Sequence, residues 1–560
     1  MKNKSFITFS LAAVIAVAGI ISLQSCSKKL DSAYLNPNNP VESPLEAVLP
    51  NTINQMTSTA APPAGGGGGS YGPAAEAVLM ARYVQYWGEV ASGNANVSYD
   101  LMGGVYGTTS DNTGLVWAMH YYGIGPNAKY IISRGIEQEK WDYVGVAHAI
   151  FAYSWLTLTE EYGDAVILRQ AFDGGRDAFD YDPQEAVYDS VRIICDNAIN
   201  YLSRTDGKVS PTELAKGDSY FLGGDVNKWK KFVYAIKARS FAHLSNKSFY
   251  ATKGYADSVI KYCDLSITTN ADNAMQKWQG GNFSGTNNYY GPYRGNIGSI
   301  RQSEFIANLL TGANAQSPFT GVEDPRTPYL INENENGKYR GITMGKGVSG
   351  LATSDQPKNF WRAAFASTAS TADSGRYIFN NLAPFPVITA TDVAFMKTEA
   401  LYRKGPAFRV QALASYSNAI DLSFEMLTTT YDARVWQSLK ITPTSKALYK
   451  ADPKVMPIAA NLTLSHIMLQ KYIALYGYGF NETWTDMRRF HYTDLDPLTG
   501  NQVYAGLTIP TPLNVNNLGK LVYRARPRYN SEYLYNIPSL QKVGALAQDY
   551  HTKEQWFSQP

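Results

Sequence analysis

The chain has 560 residues, a formal charge of +3 and 17% charged residues, below the roughly 25% of an average soluble protein. This near-neutral balance gives no electrostatic basis for binding DNA, RNA or a bare anionic membrane. Tyrosine contributes 40 residues, and together with abundant glycine and asparagine it suits stacking and hydrogen bonding with neutral polar ligands such as sugars or peptide backbones.

The N-terminus has the parts of a bacterial lipoprotein signal. Two lysines precede an apolar run over residues 6–21, which is shorter than the roughly 20 residues that a spanning helix needs. The tetrapeptide LQSC at 23–26 resembles a lipobox, Leu-x-(Ser/Ala/Gly)-Cys. We therefore expect a signal peptide over 1–25, removed on export, and a lipid on Cys26 that anchors the mature chain to a membrane.

Residues 26–45 are rich in proline and asparagine and predict an extended tether, followed by a single domain over 46–560. Within the domain, apolar residues recur at helical spacing from Trp141 to Trp155, a stretch that ends at EEYGD. Asp182 predicts the cap of a second helix, with Pro183 at its first position. Further helices are predicted over 227–247, 389–405, 411–427 and 462–480.

These alternating helices favour a mainly α fold, a superhelix of tetratricopeptide-like helix pairs, although no strict repeat of 34 residues is visible. Residues 270–390 differ, because they are rich in glycine, asparagine, serine and aromatic residues and show little periodicity. This predicts a loop-rich insertion. Long irregular segments on a rigid scaffold commonly carry function.

Motifs for catalysis are missing from the sequence. It has no H-E-x-x-H, P-loop or kinase signature, and with no C-x-x-C and six scattered histidines a metal site is not expected. Glu160, Glu161 and Asp164 are the carboxylates that a glycosidase would use, but their position favours the solvated end of a helix around Gly163. We predict a protein that is not an enzyme and uses no cofactor. Whether the two other cysteines form a disulfide stays open.

Several stretches together resemble the SusD/RagB family of outer-membrane nutrient-binding lipoproteins, and in particular its SusD-like branch. They begin with the lipobox and spread over most of the chain. The stretches are TEEYGDAVI, YDPQEAVYDSVRIICDNAI, GGDVNKWKKFVYAIKARSFAHLSNK, EDPRTPYL, ITATDVAFMKTEALYRKG, LQKYIALYGYGFNETWTDMRRF and RARPRYNSEYLYN. Their arginines at 488, 489, 524, 526 and 528 are predicted to be structural and to pair with carboxylates such as Glu482.

The resemblance implies four tetratricopeptide-like helix pairs and a loop-rich ligand-binding part. It also implies a location, with the lipid-anchored protein on the outer membrane facing the cell exterior. Its partner would be a SusC-like TonB-dependent transporter, over which the protein acts as a lid. Family members capture oligosaccharides, or peptides in the RagB-like members, and do no chemistry on them.

Two stretches combine aromatic rings with planar polar side chains, the groups that grip sugars. The first contributes Trp87, Asn94 and Tyr99, although the helical spacing of its aromatic residues favours packing in the core. The second lies in the insertion, where burial and ligand binding remain equally open. Its candidate residues are Trp278, Asn282, Tyr289, Tyr290, Tyr293 and Arg294.

Three alternatives to an oligosaccharide-binding lid remain. A peptide-binding lid would use the same asparagines and tyrosines without needing stacking platforms. A surface glycoside hydrolase would need two carboxylates facing each other across one cleft. A purely structural scaffold would bind no small ligand, and a concave pocket lined by aromatic residues of 278–294 would count against it.

Overall fold

The computed structural model describes residues 42–58, 71–94, 96–104, 114–362 and 373–560. The signal peptide, the Cys26 anchor and most of the tether lie outside the described residues and stay predictions. The described chain is mainly α-helical, as the sequence predicts.

Helices of eight or more residues form the scaffold of the described chain. They are α1 (Leu45–Asn54), α2 (Pro73–Met80), α3 (Gly125–Glu137), α4 (Trp141–Tyr162), α5 (Gln184–Leu202), α6 (Pro211–Asp218), α7 (Val226–Ala242), α8 (Tyr255–Asp264), α9 (Ala390–Arg403), α10 (Arg409–Thr430), α11 (Pro443–Ala451), α12 (Leu464–Ala474) and α13 (Phe480–Arg489). Shorter helices are Val97–Asp100, Leu115–Ala118, Glu304–Leu310, Thr327–Leu330, Glu532–Tyr535 and Ile537–Lys542. A π-helical turn, Met119–Ile124, joins Leu115–Ala118 to α3.

Successive helices pack against each other and build a superhelix. Helix α3 packs on α4, α4 on α5, α5 on α7 and α7 on α8. The series continues through α8 on α9, and α9 packs on both α10 and α12. Because each helix mainly contacts the helices next to it in this series, the architecture is that of stacked helix pairs. The predicted superhelix is therefore confirmed.

A long segment with few regular elements separates α8 from α9, and residues 265–389 are called the insertion below. Strand β1 (Trp87–Glu89) precedes it, and the insertion contains β2 (Ala274–Gln276), β3 (Ile300–Gln302) and β4 (Phe385–Ile388). Strand β2 pairs antiparallel with β4, which brings the two ends of the insertion together. Strand β3 pairs antiparallel with β1, and this pairing ties the insertion to the N-terminal part of the chain.

Two helix ends differ from their predicted form. The helix predicted over 462–480 ends at Ala474, because the chain turns at Gly477, whose φ of 85° suits glycine. The next difference is at α5, where Pro183 rather than Asp182 is the N-cap. The Asp182 carboxylate instead accepts hydrogen bonds from two backbone N–H groups of the preceding loop, at 2.8 and 3.0 Å.

A cluster of charged side chains is buried, or nearly so, where α4, α7, α9, α12 and α13 meet. We call it the ionic cluster, and its members are Glu160, Arg239, His243, Asp392, Glu399, Lys471, Glu482, Asp486 and Arg489. Buried charges are tolerated only when they are paired. Each member has an oppositely charged neighbour within the cluster.

Lys471 on α12 contacts three carboxylates of the cluster. Its Nζ lies 2.6 Å from Glu482 Oε1, 2.8 Å from Asp486 Oδ2 and 3.8 Å from Asp392 Oδ1. Burial by itself would lower the pKa of Lys471, but Asp486, Glu482 and Asp392 outweigh burial and raise it. The ammonium group therefore stays charged and holds α9 and α13 against α12.

His243, just after α7, links two carboxylates. Its Nδ1 lies 2.6 Å from Glu160 Oε1, and its Nε2 lies 2.9 Å from Glu482 Oε2. Burial favours the neutral ring, but Glu482 and Glu160 outweigh it and raise the pKa of His243 to about 9. The predicted solvated helix end at Glu160 and Glu161 is therefore wrong. Both residues are buried, and Glu160 is an ion-pair partner inside the core.

Arginines near the C-terminus are structural, as predicted, but with other partners. Arg489 binds both carboxylate oxygens of Glu399 at 2.8 Å. Arg524 contacts the Asp164 carboxylate and donates to backbone carbonyl groups. The expected partner Glu482 binds cations from other helices instead. Fixed guanidinium groups of this kind hold the end of the chain against α4 and α9.

Replacing Lys471 with methionine tests the dependence of the fold on the ionic cluster. Removing one partner leaves buried carboxylates uncompensated, so we expect Lys471→Met to lower the free energy of unfolding by about 3–5 kcal/mol. The matched control is Lys397→Met on α9, which removes a partly exposed pair with Asp264 and should cost at most about 1 kcal/mol. Urea unfolding followed by circular dichroism measures both. Equal stability of the two variants would contradict the assignment.

The raised pKa of His243 predicts that the stability of the protein depends on pH. The folded protein keeps this proton up to about pH 9, whereas an unfolded histidine releases it near 6.5. The stabilisation is complete below about pH 6.5, and about 3 kcal/mol of it is lost as the pH rises to about 9.

The measurement is urea unfolding at both ends of this pH window for the wild type and for His243→Gln. The variant should lose most of the pH dependence. His491 also has a pKa raised to about 9, chiefly by its hydrogen bond to Glu554, but it is partly exposed. His491→Gln is thus a matched comparison that should remove less. The same pH slope in the wild type and in His243→Gln would refute the role of His243.

Candidate functional site

A small cleft lies where the start of the insertion meets the ends of α1 and α6. Its walls are the last turn of α1, the turn that follows α6, and residues 276–279 and 285–286 of the insertion. It encloses a volume of about 240 Å³. We call it the Trp278 cleft, because the ring of this predicted site residue forms part of its wall.

The turn after α6 is fixed by one buried carboxylate. Asp218 accepts hydrogen bonds from the backbone N–H of Leu222 (3.0 Å), from that of Gly224 (2.8 Å) and from the indole Nε1–H of Trp229 (2.8 Å). Burial raises the pKa of Asp218 to about 6, although these hydrogen bonds oppose the change. The three donors fold the chain around Asp218 and present Tyr220 at the cleft.

The opposite wall of the cleft continues from strand β2. Pairing of β2 with β4 fixes Gln276 opposite Phe385, at the end of the short ladder. The next residue, Lys277, donates its backbone N–H to the carbonyl oxygen of Tyr220 at 2.7 Å. This hydrogen bond joins the two walls, and Trp278 follows directly after it.

Three residues that line the Trp278 cleft carry polar atoms without partners. Among the described residues, Trp278 Nε1, Gln276 Oε1 and Asn54 Oδ1 are buried and have no hydrogen-bond partner. Trp278 and Gln276 are only 8% and 7% exposed, so leaving these atoms unsatisfied carries a cost in free energy.

One donor and two acceptors beside an aromatic ring match a hydroxyl-bearing ligand, because a hydroxyl group both donates and accepts. Of the described residues that line the cleft, the charged ones are Lys277 and Asp218, and the Asp218 carboxylate already accepts the three N–H groups named above. The arrangement therefore suits a neutral polar ligand that can lay an apolar face on the indole.

Other predicted residues of the insertion lie apart from this cleft. Asn282 is exposed on the loop that follows Trp278. Arg294 places its guanidinium carbon 4.6 Å from the centre of the buried Tyr289 ring. Tyr293 is 48% exposed, and its backbone N–H donates to Asn381 Oδ1 at 2.9 Å. The structure brings Tyr289 and Arg294 together, but neither lines the Trp278 cleft.

Three predicted contact residues are core residues in this structure. Tyr290 is fully buried, with its ring centre 5.8 Å from that of Trp87 and 5.4 Å from that of Phe385. Trp87 lies in β1 and donates its indole N–H to the carbonyl oxygen of Ala77 at 3.2 Å. Tyr99 is fully buried as well. Their rings cannot contact a ligand at the surface, because packing covers them on all sides.

Asn94, the remaining predicted residue, is exposed and caps its own turn. Its Oδ1 accepts the backbone N–H of Asn96 at 2.9 Å. Sequence reasoning missed three residues of the Trp278 cleft, namely Asn54, Tyr220 and Gln276. Only Gln276 has a signal in the sequence, as a planar amide two residues before Trp278. Asn54 is the last residue of α1 and Tyr220 lies in the turn after α6, and both are far from Trp278 in the sequence.

Some further properties bear on function. No helix in the described part of the chain is both long and apolar enough to cross a membrane. Within the same residues, no group of three or more histidine, cysteine or acidic side chains is arranged to hold a metal ion. Cys195 and Cys263 are both buried and unpaired.

A superhelix of helix pairs, with a long insertion and a cleft where the insertion meets two helices, defines a helical scaffold with a candidate ligand site. Residues 37–513 match the sequence model of the SusD-like family that is described as starch-binding and associating with the outer membrane. The chain belongs to this family, which confirms the resemblance. None of the curated proteins compared with the chain matches it.

Solved structures share the fold. A SusD/RagB family protein from Bacteroides thetaiotaomicron is similar with a TM-score of 0.69 and 21% identity, over 92% of this chain and 99% of that one. A SusD homologue from Bacteroides uniformis has a TM-score of 0.65 and 19% identity, over 92% and 99%. A chitin-binding SusD homologue from Flavobacterium johnsoniae has a TM-score of 0.63 and 16% identity, over 92% and 98%.

Replacing Asp218 tests how strongly the stability of the cleft wall depends on one hydrogen-bond acceptor. Asp218→Asn replaces an oxygen with an NH₂ group that faces buried N–H donors. We expect it to lower the free energy of unfolding by about 1–3 kcal/mol. Asp206→Asn, which alters an exposed pair with Arg204, is the control and should change stability by less than about 0.5 kcal/mol. Chemical unfolding measures both, and an Asp218→Asn variant as stable as the control would contradict this account.

Proposed function

We propose that this chain is a cell-surface lipoprotein that captures oligosaccharide in the Trp278 cleft and delivers it to a SusC-like TonB-dependent transporter. The observation that carries the ligand class is the set of three unsatisfied polar atoms on Trp278, Gln276 and Asn54, which all line this cleft. A sugar makes both kinds of contact, because its apolar face stacks on an aromatic ring and its hydroxyl groups hydrogen-bond to polar atoms.

Anchor and partner complete the proposed role. Cys26 carries the lipid, the tether spans the distance from the membrane, and the superhelix acts as a lid over the transporter. Membership of a family described as starch-binding and associating with the outer membrane supports this role. Starch-like and chitin-like glycans are the first ligands to test, because a structural neighbour is chitin-binding.

The positions of the acidic residues considered for hydrolysis support a protein that binds its ligand without catalysing a reaction. Glu160 is paired with His243, and Asp164 with Arg524. Burial raises the pKa of Glu161 well above its usual value, and neighbouring Glu76 adds to this. None of the three acidic residues lines the Trp278 cleft, and a glycosidase needs two carboxylates across the bound sugar.

The experiment is affinity electrophoresis of the mature chain, in a detergent without sugar groups, through native gels that contain soluble starch, glycol chitin or other polysaccharides. We expect retardation by at least one glycan. Trp278→Phe keeps a ring but loses the N–H donor, and it should weaken binding about tenfold, as the loss of one hydrogen bond to a buried group predicts. Trp278→Ala should abolish retardation.

The matched control is Trp436→Ala, which removes a tryptophan that is exposed outside the cleft. It should migrate like the wild type. Retardation that survives in Trp278→Ala would place the site elsewhere. Free migration through every gel, with binding of mixed oligopeptides detected by calorimetry, would favour the peptide-binding alternative.

A further inference from the structure

A second and larger cleft lies on another part of the superhelix, and we call it the aromatic cleft. It encloses about 660 Å³, within the roughly 300–1,000 Å³ that is typical of ligand sites. Its walls are the π-helical turn before α3, the loop over residues 167–179 and the residues 530–536 near the C-terminus. Its aromatic lining residues are Trp117, Tyr121, Tyr122, Phe172, Phe179 and Tyr535.

The π-helical turn sets the positions of two of these rings. Tyr121 turns inward, where its hydroxyl donates to the carbonyl oxygen of Ile167 (3.1 Å) and accepts the backbone N–H of the same residue (2.8 Å). Tyr122, the next residue, is 50% exposed at the cleft. Turns of this kind interrupt regular helices and are frequent at functional sites.

Phe172 is held in a conformation that costs free energy. Its φ of 63° lies in the left-handed region, which is unfavourable for a bulky residue. The ring is seated against Gly125, where a Cβ atom would lie only 2.0 Å from Phe172 Cζ. A glycine on the helix and a strained residue on the loop thus combine to place one aromatic ring in the wall.

Two charged groups at the aromatic cleft are already engaged. Glu532 accepts hydrogen bonds from the Tyr181 hydroxyl at 2.6 Å and from Asn536 Nδ2 at 2.8 Å, and burial raises its pKa. Arg176 pairs with Asp173 at 2.8 Å. Among the described lining residues, the other charged one is Asp177, which is exposed to solvent. The walls therefore offer mainly apolar ring faces and planar polar groups, which favours a neutral ligand rich in hydroxyl groups.

We propose that the aromatic cleft is a second carbohydrate-binding site, in which a neutral sugar chain lies against the exposed rings of Tyr122 and Tyr535. The ligand class rests on the proposed function, whereas the place rests on the geometry of this cleft alone. The two clefts share no lining residue. One glycan chain bound at two places would gain avidity, because its second contact is intramolecular.

Acetylation of tyrosines by N-acetylimidazole, read by mass spectrometry, tests the two clefts separately. Tyr122 (50% exposed) and Tyr535 (67%) report on the aromatic cleft, and Tyr220 (44%) reports on the Trp278 cleft. Tyr293 (48%) lines neither cleft and is the internal control. The samples are the mature chain in sugar-free detergent, with maltoheptaose, chitohexaose or a tyrosine-free peptide mixture.

With an excess of a bound oligosaccharide, labelling of Tyr122 and Tyr535 should fall about fivefold or more, because most sites are then occupied. The protection should persist in Trp278→Ala, whereas protection of Tyr220 should be lost there. Labelling of Tyr293 should not change. A Tyr122→Ala/Tyr535→Ala variant should bind the sugar about tenfold more weakly, and this substitution of exposed rings leaves the core intact.

Each other outcome is decisive. Protection of Tyr220 alone overturns the second site and leaves the proposed function standing. Protection of Tyr122 and Tyr535 alone supports the aromatic cleft and removes the Trp278 cleft from the proposed function. Protection at the aromatic cleft by the peptide mixture and not by either sugar overturns the carbohydrate assignment. Unchanged labelling at all four tyrosines with both sugars overturns it too.

Discussion

The pairing of buried charges is the constraint on which the arrangement of the superhelix depends. Taking charged groups out of water costs several kcal/mol each, and this cost is recovered only when every partner is in place. Lys471 on α12 therefore requires carboxylates from α9 and α13, and His243 requires one from α4. Because α9 directly follows the insertion, these contacts also fix where the insertion ends. The scaffold cannot shift α4, α9, α12 or α13 without leaving a buried charge unpaired.

Much of the fold follows from local patterns in the sequence. The helix predicted over 389–405 is α9, because Thr389 supplies an N-cap acceptor and apolar residues then recur at helical spacing. Contacts between residues far apart in the sequence do not follow from such local patterns. Glu160 stands near a glycine at the end of a helix, a pattern typical of a solvated terminus. Nothing nearby in the sequence reveals that His243 and α13 cover it, so the burial of Glu160 is a property of the assembled superhelix.

The candidate site shows even more clearly the difference between what local sequence predicts and what the assembled fold decides. Trp278 and Tyr290 occur in one stretch rich in glycine and asparagine. The stretch has no periodicity that would show which of the two rings is in the core and which lines a cleft. Tyr290 is drawn into the core by Trp87 and by Phe385 of β4, whereas Trp278 emerges after β2 beside α1. Composition therefore identifies a segment that carries aromatic rings near the surface. Which ring lines a cleft is decided by strand pairing between residues more than 100 positions apart.

The pairing of β2 with β4 has an evolutionary consequence. Since β2 and β4 hold the two ends of the insertion together and β3 ties its middle to β1, the loops between these strands can gain, lose or exchange residues while α8 and α9 keep their contact. The helical frame and these loops can then diverge at different speeds. A structural relative with only 21% identity keeps the fold over 92% of this chain, so the frame tolerates extensive change in sequence. Joints of this kind let the loops between them change without disturbing the helices that hold them.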